Sequence, residues 1–212
     1  VELPFHGDRL HVAADGVELL LLPAAHLVPG IEDRHPDAFH PREGIAHGKL
    51  EMIEYDSKTV GTKRKMQVYT PPGYSKDKHY PVLYLLHGIG GDETEWERFA
   101  HPDILLDNLI ADGKAVPMLI VMPNGRAQKN DRAEGNMFAA APAFATFERD
   151  LLEDVIPAIQ SRYSTYPQRE SRAAVFHRVW RADRAAFKVH RADFRRDGGI
   201  LHDHAIGNPH SF

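Results

Sequence analysis

The run Pro81-Val82-Leu83-Tyr84-Leu85-Leu86-His87-Gly88-Ile89-Gly90-Gly91 constrains this chain more than any other segment. Its apolar part is continuous rather than alternating, the pattern of a parallel strand covered on both faces. A strand of that kind needs a layer of helices on each side, so the run predicts an α/β architecture. Gly88, Gly90 and Gly91 then free the backbone to turn sharply. A turn built this way leaves backbone N–H groups without ladder partners, able to point at a developing negative charge. A plain strand-to-loop turn needs the same glycines for its dihedrals alone, so both readings are carried forward.

Composition narrows the choice of partner. The 212 residues suit one domain with a sizeable core, and a net charge of −4 leaves no electrostatic footprint for nucleic acid. The chain has no cysteine, which excludes disulfides, thiolate metal sites and a cysteine nucleophile. The apolar stretch Leu19-Leu20-Leu21-Leu22 lies beyond Asp15 and Glu18 and is far too short to span a bilayer. We therefore expect no membrane span, and no signal peptide is evident in this chain.

Texture divides the chain into three. Residues 1–46 lack lysine, are rich in histidine and are broken by Pro4, Pro23, Pro29, Pro36 and Pro41, so a poorly structured extension is expected there. Residues 47–172 have ordinary globular texture. Residues 173–212 turn arginine- and histidine-rich and contain no Glu, Gln, Thr, Tyr or Met, an atypical tail.

In the middle part, Lys49 to Tyr55 and Lys63 to Tyr69 read as a hairpin with Gly61 in its turn; Met66, Val68 and Arg64 alternate against polar neighbours. A helix is expected from Ile104 to Ala111, ending near Gly113, and a second buried strand from Val116 to Met122. Strand, helix, strand implies a parallel crossover. The long polar stretch from Asn124 to Pro142 then falls after a strand's carboxyl end, beside the expected ligand crevice. Phe147, Leu151, Val155 and Ile159 predict a helix to Tyr163 with a kink or break at Pro157. Asp150, Glu153 and Asp154 are expected on its solvated face.

Five blocks in order carry a family resemblance: His47-Gly48-Lys49-Leu50-Glu51, Tyr69-Thr70-Pro71-Pro72-Gly73-Tyr74, Tyr84-Leu85-Leu86-His87-Gly88-Ile89-Gly90-Gly91, Val121-Met122-Pro123-Asn124-Gly125 and Phe147-Glu148-Arg149-Asp150-Leu151-Leu152. The chain resembles the feruloyl and acetylxylan esterases of carbohydrate esterase family 1, related to the esterase D group, over about residues 47–172. The resemblance implies a three-layer α/β-hydrolase sheet, here incomplete in its C-terminal half. It also implies a Ser-His-Asp mechanism without a cofactor or metal, and hydroxycinnamoyl or acetyl esters on plant xylan as substrates, outside the cell. In that family Ile89 would offer its N–H to the oxyanion, Gly90 and Gly91 would keep the loop close to the ester, and His87 would be structural. Trp96 and Phe138, with Phe99 and Phe144, are candidates for an aromatic substrate floor.

One family feature is missing. The pattern calls for a Gly-x-Ser-x-Gly elbow soon after Arg172, yet no serine stands between Ser171 and Ser211, so the nucleophile position near Arg178 is vacant. Asp183, Asp193, Asp203, His190, His202 and His204 have triad chemistry but no matching motif, and the catalytic residues are left unassigned. A shifted reading frame or truncated assembly would account for this tail. A genuine replacement would also do so, with Ala173 to Trp180 pairing as a strand. The third account, a metal site through His202-Asp203-His204 and His210, has no scaffold in the sequence. The expectation is an esterase by descent that lacks hydrolytic competence and self-associates through an incomplete sheet. The alternative is a non-catalytic carbohydrate-binding or scaffold module that keeps the crevice.

Overall fold

A computed structural model of the chain describes residues 10–14, 17–21, 39–88, 90–132, 134 and 141–176. In the N-terminal extension, β1 (Leu10–Ala14) and β2 (Val17–Leu21) pair as an antiparallel hairpin with Leu10 opposite Leu21, an element the proline-broken sequence did not suggest. Residues just before the expected boundary are also engaged: Phe39 packs on the core, and the His40 carbonyl accepts the Asn108 amide at 3.0 Å.

The main sheet has five strands among the described residues: β3 (Lys49–Ser57), β4 (Thr62–Thr70), β5 (Val82–Leu86), β6 (Leu119–Pro123) and β7 (Arg172–Phe176). Their order is β3-β4-β6-β5-β7. The β3–β4 hairpin is the expected one, closed by Gly61 at φ 74°, a backbone conformation that favours glycine. β4 pairs antiparallel with β6, whereas β6, β5 and β7 run parallel. This is the α/β-hydrolase sheet the sequence implied; β7 covers the start of the strand expected from Ala173 to Trp180, and residues 177–180 lie outside the described ones. Strand β6 begins at Leu119 rather than Val116, because Pro117 has no N–H to give the ladder; Leu119 makes the first bond, to the Pro81 carbonyl at 3.0 Å.

Both faces of β5 and β6 are buried, as a continuous apolar run requires, while β7 is half-buried from Arg172 to Val175. Val82, Tyr84, Leu86, Leu119 and Val121 face a core closed by Phe147, Leu151, Val155 and Ile159. Leu83, Leu85, Ile120 and Met122 face a second core closed by Leu105 and Leu106 of α2 (Pro102–Ala111). The helix on the first face starts earlier than the apolar stripe suggested, as α3 (Ala141–Asp150), and continues through a π-helical turn, Leu151–Val155, into α4 (Ile156–Arg162). The disturbance expected at Pro157 is this wide turn, in which the Ile156 N–H reaches back to the Leu151 carbonyl. A proline ring clashes with the carbonyl four residues before it, and widening the preceding turn relieves that clash.

The connection from β5 runs through α2 on one face to β6 at one side, and the connection from β6 returns through α3 and α4 on the other face to β7 at the other side of β5, so the chain switches direction at the carboxyl end of β5. In open α/β sheets that is where ligands bind. The loops that meet there are 87–94, leading into α1 (Glu95–Ala100), and 124–134.

Candidate active site

His87 ends β5 and is almost wholly enclosed, 1% exposed. Its Nε2 accepts the Gly125 N–H at 2.8 Å, so the proton sits on Nδ1, which donates to the Gly88 carbonyl at 2.6 Å. Burial holds its pKa below the usual histidine value. A neutral imidazole with both nitrogens committed rivets the two loops together and is not placed to move substrate protons. This is the structural role the sequence assigned to it.

The glycine turn is drawn tight around a carboxylate. Glu95, at the start of α1, accepts the Gly88 N–H at 3.2 Å, and the Gly91 N–H donates to the Gly88 carbonyl at 3.1 Å. A Cβ at Gly91 would run into the Glu95 carboxylate, so a larger residue there would have to push that side chain away from the Gly88 N–H. Gly90 lies exposed in the turn. Ile89 and Phe138 lie outside the described residues, as do Arg178 and the aspartates and histidines of the tail.

Across from the turn, the 124–134 loop is stitched by charge. The buried Asn124 amide donates to Glu93 at 2.9 Å and to the Asp131 carbonyl at 3.0 Å, while its oxygen accepts the Arg126 N–H at 2.9 Å. Arg126 donates from Nη1 to the carbonyls of Gly91, at 3.2 Å, and Asp131, at 3.0 Å, so it bridges the two loops. Arg132 grips both oxygens of the buried Glu93 at 3.0 and 3.1 Å. Burial alone would lower the Arg132 pKa; hydrogen bonds to Glu93 and Asp131 outweigh it and hold the guanidinium charged. Burial likewise pushes Asp92 up, but the Thr94 hydroxyl and N–H bonds win and keep it an anion.

Of the aromatic candidates, Phe144 meets the site, edge-on to His87 at 6.4 Å and beneath the Arg126 guanidinium at 5.6 Å. Trp96 is partly buried against the second core and Phe99 is 47% exposed under Arg98. Sequence reasoning missed Asn124, Arg126, Glu93 and Arg132 as a network. The one available signal was the Pro123-Asn124-Gly125-Arg126 stop immediately after an apolar strand.

One expectation is overturned. Asp150 is 0% exposed and Asp154 is also buried, so they do not form a solvated face. Asp150 accepts from Ser57 at 2.5 Å, from the Tyr55 hydroxyl at 2.7 Å, and from Arg64, itself wholly buried. Asp154 accepts the Thr59 N–H at 2.9 Å. Only Glu153 behaves as expected, exposed and paired with Arg149 one turn back. The apolar stripe on the helix is real, but the row beside it docks onto β3 and β4 through donors rather than facing water.

Comparison with known proteins agrees with the α/β-hydrolase fold. The Esterase family model matches residues 57–177, more than half of the chain. The chain belongs to the Esterase family. The chain is 35% identical over 150 residues to an endo-1,4-beta-xylanase/feruloyl esterase of Xylanibacter ruminicola, covering 68% of the chain and 20% of that relative. It is 33% identical over 109 residues to endo-1,4-beta-xylanase Y of Acetivibrio thermocellus, covering 51% and 9%. Among solved structures it is similar to a CE1 ferulic acid esterase from the anaerobic fungus Anaeromyces mucronatus, with TM-score 0.62 and 29% identity, over 68% of this chain and 55% of that one. It is also similar to a mutant of the feruloyl esterase module from Clostridium thermocellum complexed with sinapinate, with TM-score 0.54 and 25% identity, over 68% and 49%. The chain thus spans about half the length of these solved structures and a fifth or less of the two curated relatives. Among the described residues no helix is long and apolar enough to cross a membrane, and no group of three or more His, Asp or Glu is arranged to hold a metal ion.

Proposed function

We propose that this chain carries the oxyanion-turn half of a carboxylic-ester hydrolase directed at hydroxycinnamoyl or acetyl esters of xylan outside the cell, and that the chain as it stands does not turn such esters over. The observation that carries the first half is the tight glycine turn at the carboxyl end of β5, fixed by His87, Glu95 and Arg126. An ester carbonyl lying over this turn would receive the Ile89 N–H as its oxygen gains charge. Gly90 and Gly91 would keep the backbone close enough for that contact, with Trp96 and Phe138 contributing to the acyl or sugar floor.

The second half rests on the nucleophile. β7 occupies the strand that should lead into the elbow, but the sequence holds no serine from Arg172 to His210. Ser57 cannot substitute, since its hydroxyl is buried and bound to Asp150. Without a nucleophile, binding and part of an oxyanion hole leave only a small residue of the usual rate enhancement. Incubation with methyl ferulate should therefore give no enzymatic turnover, and a fluorophosphonate probe should leave the protein unlabelled. Stoichiometric labelling with turnover that the probe abolishes would overturn the inactive reading.

The crevice loops keep their hydrogen bonds in a chain without the serine, and this favours a second reading, retained binding of feruloylated xylan fragments. Tryptophan fluorescence titrated with feruloylated and bare xylo-oligosaccharides tests it, and silence with both removes it. The outer edge of β7 has no strand partner among the described residues, and open edges pair readily with other chains. Association of two copies through β7 belongs to the same proposal; sedimentation that stays monomeric as concentration rises removes it.

A further inference from the structure

We propose that Arg64, held by Asp150, is a positioning residue for the crevice loop 124–132. It acts through the carbonyls of Asn124 and Arg126 and never touches substrate. The inference rests on reading the carboxyl ends of β5 and β6 as the ester site.

The guanidinium divides its work between two arms. Nη1 faces the helix, where it donates to Asp150 and, at 2.9 Å, to the Tyr55 hydroxyl. Nη2 faces the loop, where it donates to the Asn124 carbonyl at 2.6 Å and the Arg126 carbonyl at 3.0 Å. The Asn124 carbonyl follows directly on β6, where ladder pairing has stopped, and a buried carbonyl without a donor is costly. The Arg126 carbonyl also accepts the Gln128 N–H at 2.8 Å, so the guanidinium adds a second donor there. Neutralising Asp150 would need one arm alone. The second arm sets the height at which the backbone leaves the sheet.

That height is then passed on. The side chains of the same two residues reach the other way, Asn124 to Glu93 and Arg126 to the Gly91 carbonyl inside the glycine turn. The Gly125 N–H between them holds His87. Asp150 is in turn fixed by Tyr55 and Ser57 of β3, so its carboxylate gives the arginine a rigid anchor. Lysine could keep the charge pair with Asp150, but its compact ammonium on a flexible stem cannot reproduce the planar fork.

The test is amide hydrogen exchange on the whole chain, comparing residues 125–128 with β5 and β6. Arg64→Lys should speed exchange at 125–128 by roughly tenfold or more while the strand amides keep their protection, the signature of a local opening. The double variant Arg64→Met with Asp150→Leu removes both charges together, so no orphan charge is buried, and it should show the same local effect. Unchanged exchange at 125–128 in either variant that folds overturns the proposal. So does equal acceleration in loop and strands, which would make the pair a general prop. A binding arm with ferulate separates the two readings: failure of the wild-type chain to bind ferulate counts against the ester-site reading, and the exchange result judges Arg64 regardless.

Discussion

Each face of the sheet carries one helix docked through a buried aspartate, Asp150 at the end of α3 and Asp107 in α2, and the two are satisfied by different means. Asp150 has a full cation, Arg64, plus two hydroxyls. Asp107 has the Tyr69 hydroxyl at 2.5 Å, the Gly48 N–H at 2.9 Å, and His47 at 3.1 Å, the last about half exposed. A Cβ at Gly48 would strike the Tyr69 ring, so glycine there lets the N–H approach. The donors of Asp107 are local to the start of β3 and the end of β4, and their influence stops at α2. The donor of Asp150 has a second arm that continues into the crevice loop. Equal burial therefore gives one anchor of purely architectural reach and one that extends to the site.

The largest effect should come from Asp150→Ala, which strands the Arg64 guanidinium in the core. Unfolding in urea should show a loss of about 3–5 kcal/mol, and a loss under about 1 kcal/mol would break the contrast. Tyr69→Phe removes one donor from Asp107 but leaves Gly48 and His47 in place. Its cost should be smaller, about 1.5–3 kcal/mol by the same measurement, with exchange at 125–128 untouched.

A buried group without charge supplies a pH-dependent control. Burial keeps His87 below its ordinary pKa of 6.5, so the unfolded chain binds the proton more readily than the folded one. The stability contribution of His87 should be complete above 6.5 and drain away as pH falls from there towards its folded pKa. Subtracting the pH profile of His87→Gln from that of the wild type isolates the slope, and parallel profiles would show that His87 is not held neutral. The smallest effect should come from Glu153→Ala, on the same helix as Asp150 but in water. Its ion pair with Arg149 should be worth no more than about 0.5 kcal/mol in thermal unfolding.

The strands were legible because Val82 to Leu86 and Leu119 to Met122 are apolar on both faces, a pattern little else produces. The β3–β4 hairpin was legible from alternation and Gly61. Asp150 was not, because a helical stripe shows where apolar side chains go and is blind to a charge whose partner lies 86 residues earlier. A usable signal was present: Arg64 shares the inward set of Met66 and Val68, and a guanidinium on a buried face requires an anion opposite. The crevice network was illegible for a similar reason, since Asn124, Arg126 and Glu93 are satisfied largely by backbone carbonyls and by each other. The missing serine elbow, by contrast, was plain from sequence, being the absence of a residue type over a stretch.

The long separation of Arg64 and Asp150 also has a kinetic side. Neither charge can leave water alone, so α3 cannot settle on β3 and β4 until the hairpin that holds Arg64 is already formed. Closure of the pair should therefore follow the rate-limiting step of folding, and its rupture should precede the rate-limiting step of unfolding. Changes at Arg64 or Asp150 should then appear mainly in the unfolding limb of the chevron, with the folding limb little altered, so that the half-life of the native state tracks this contact.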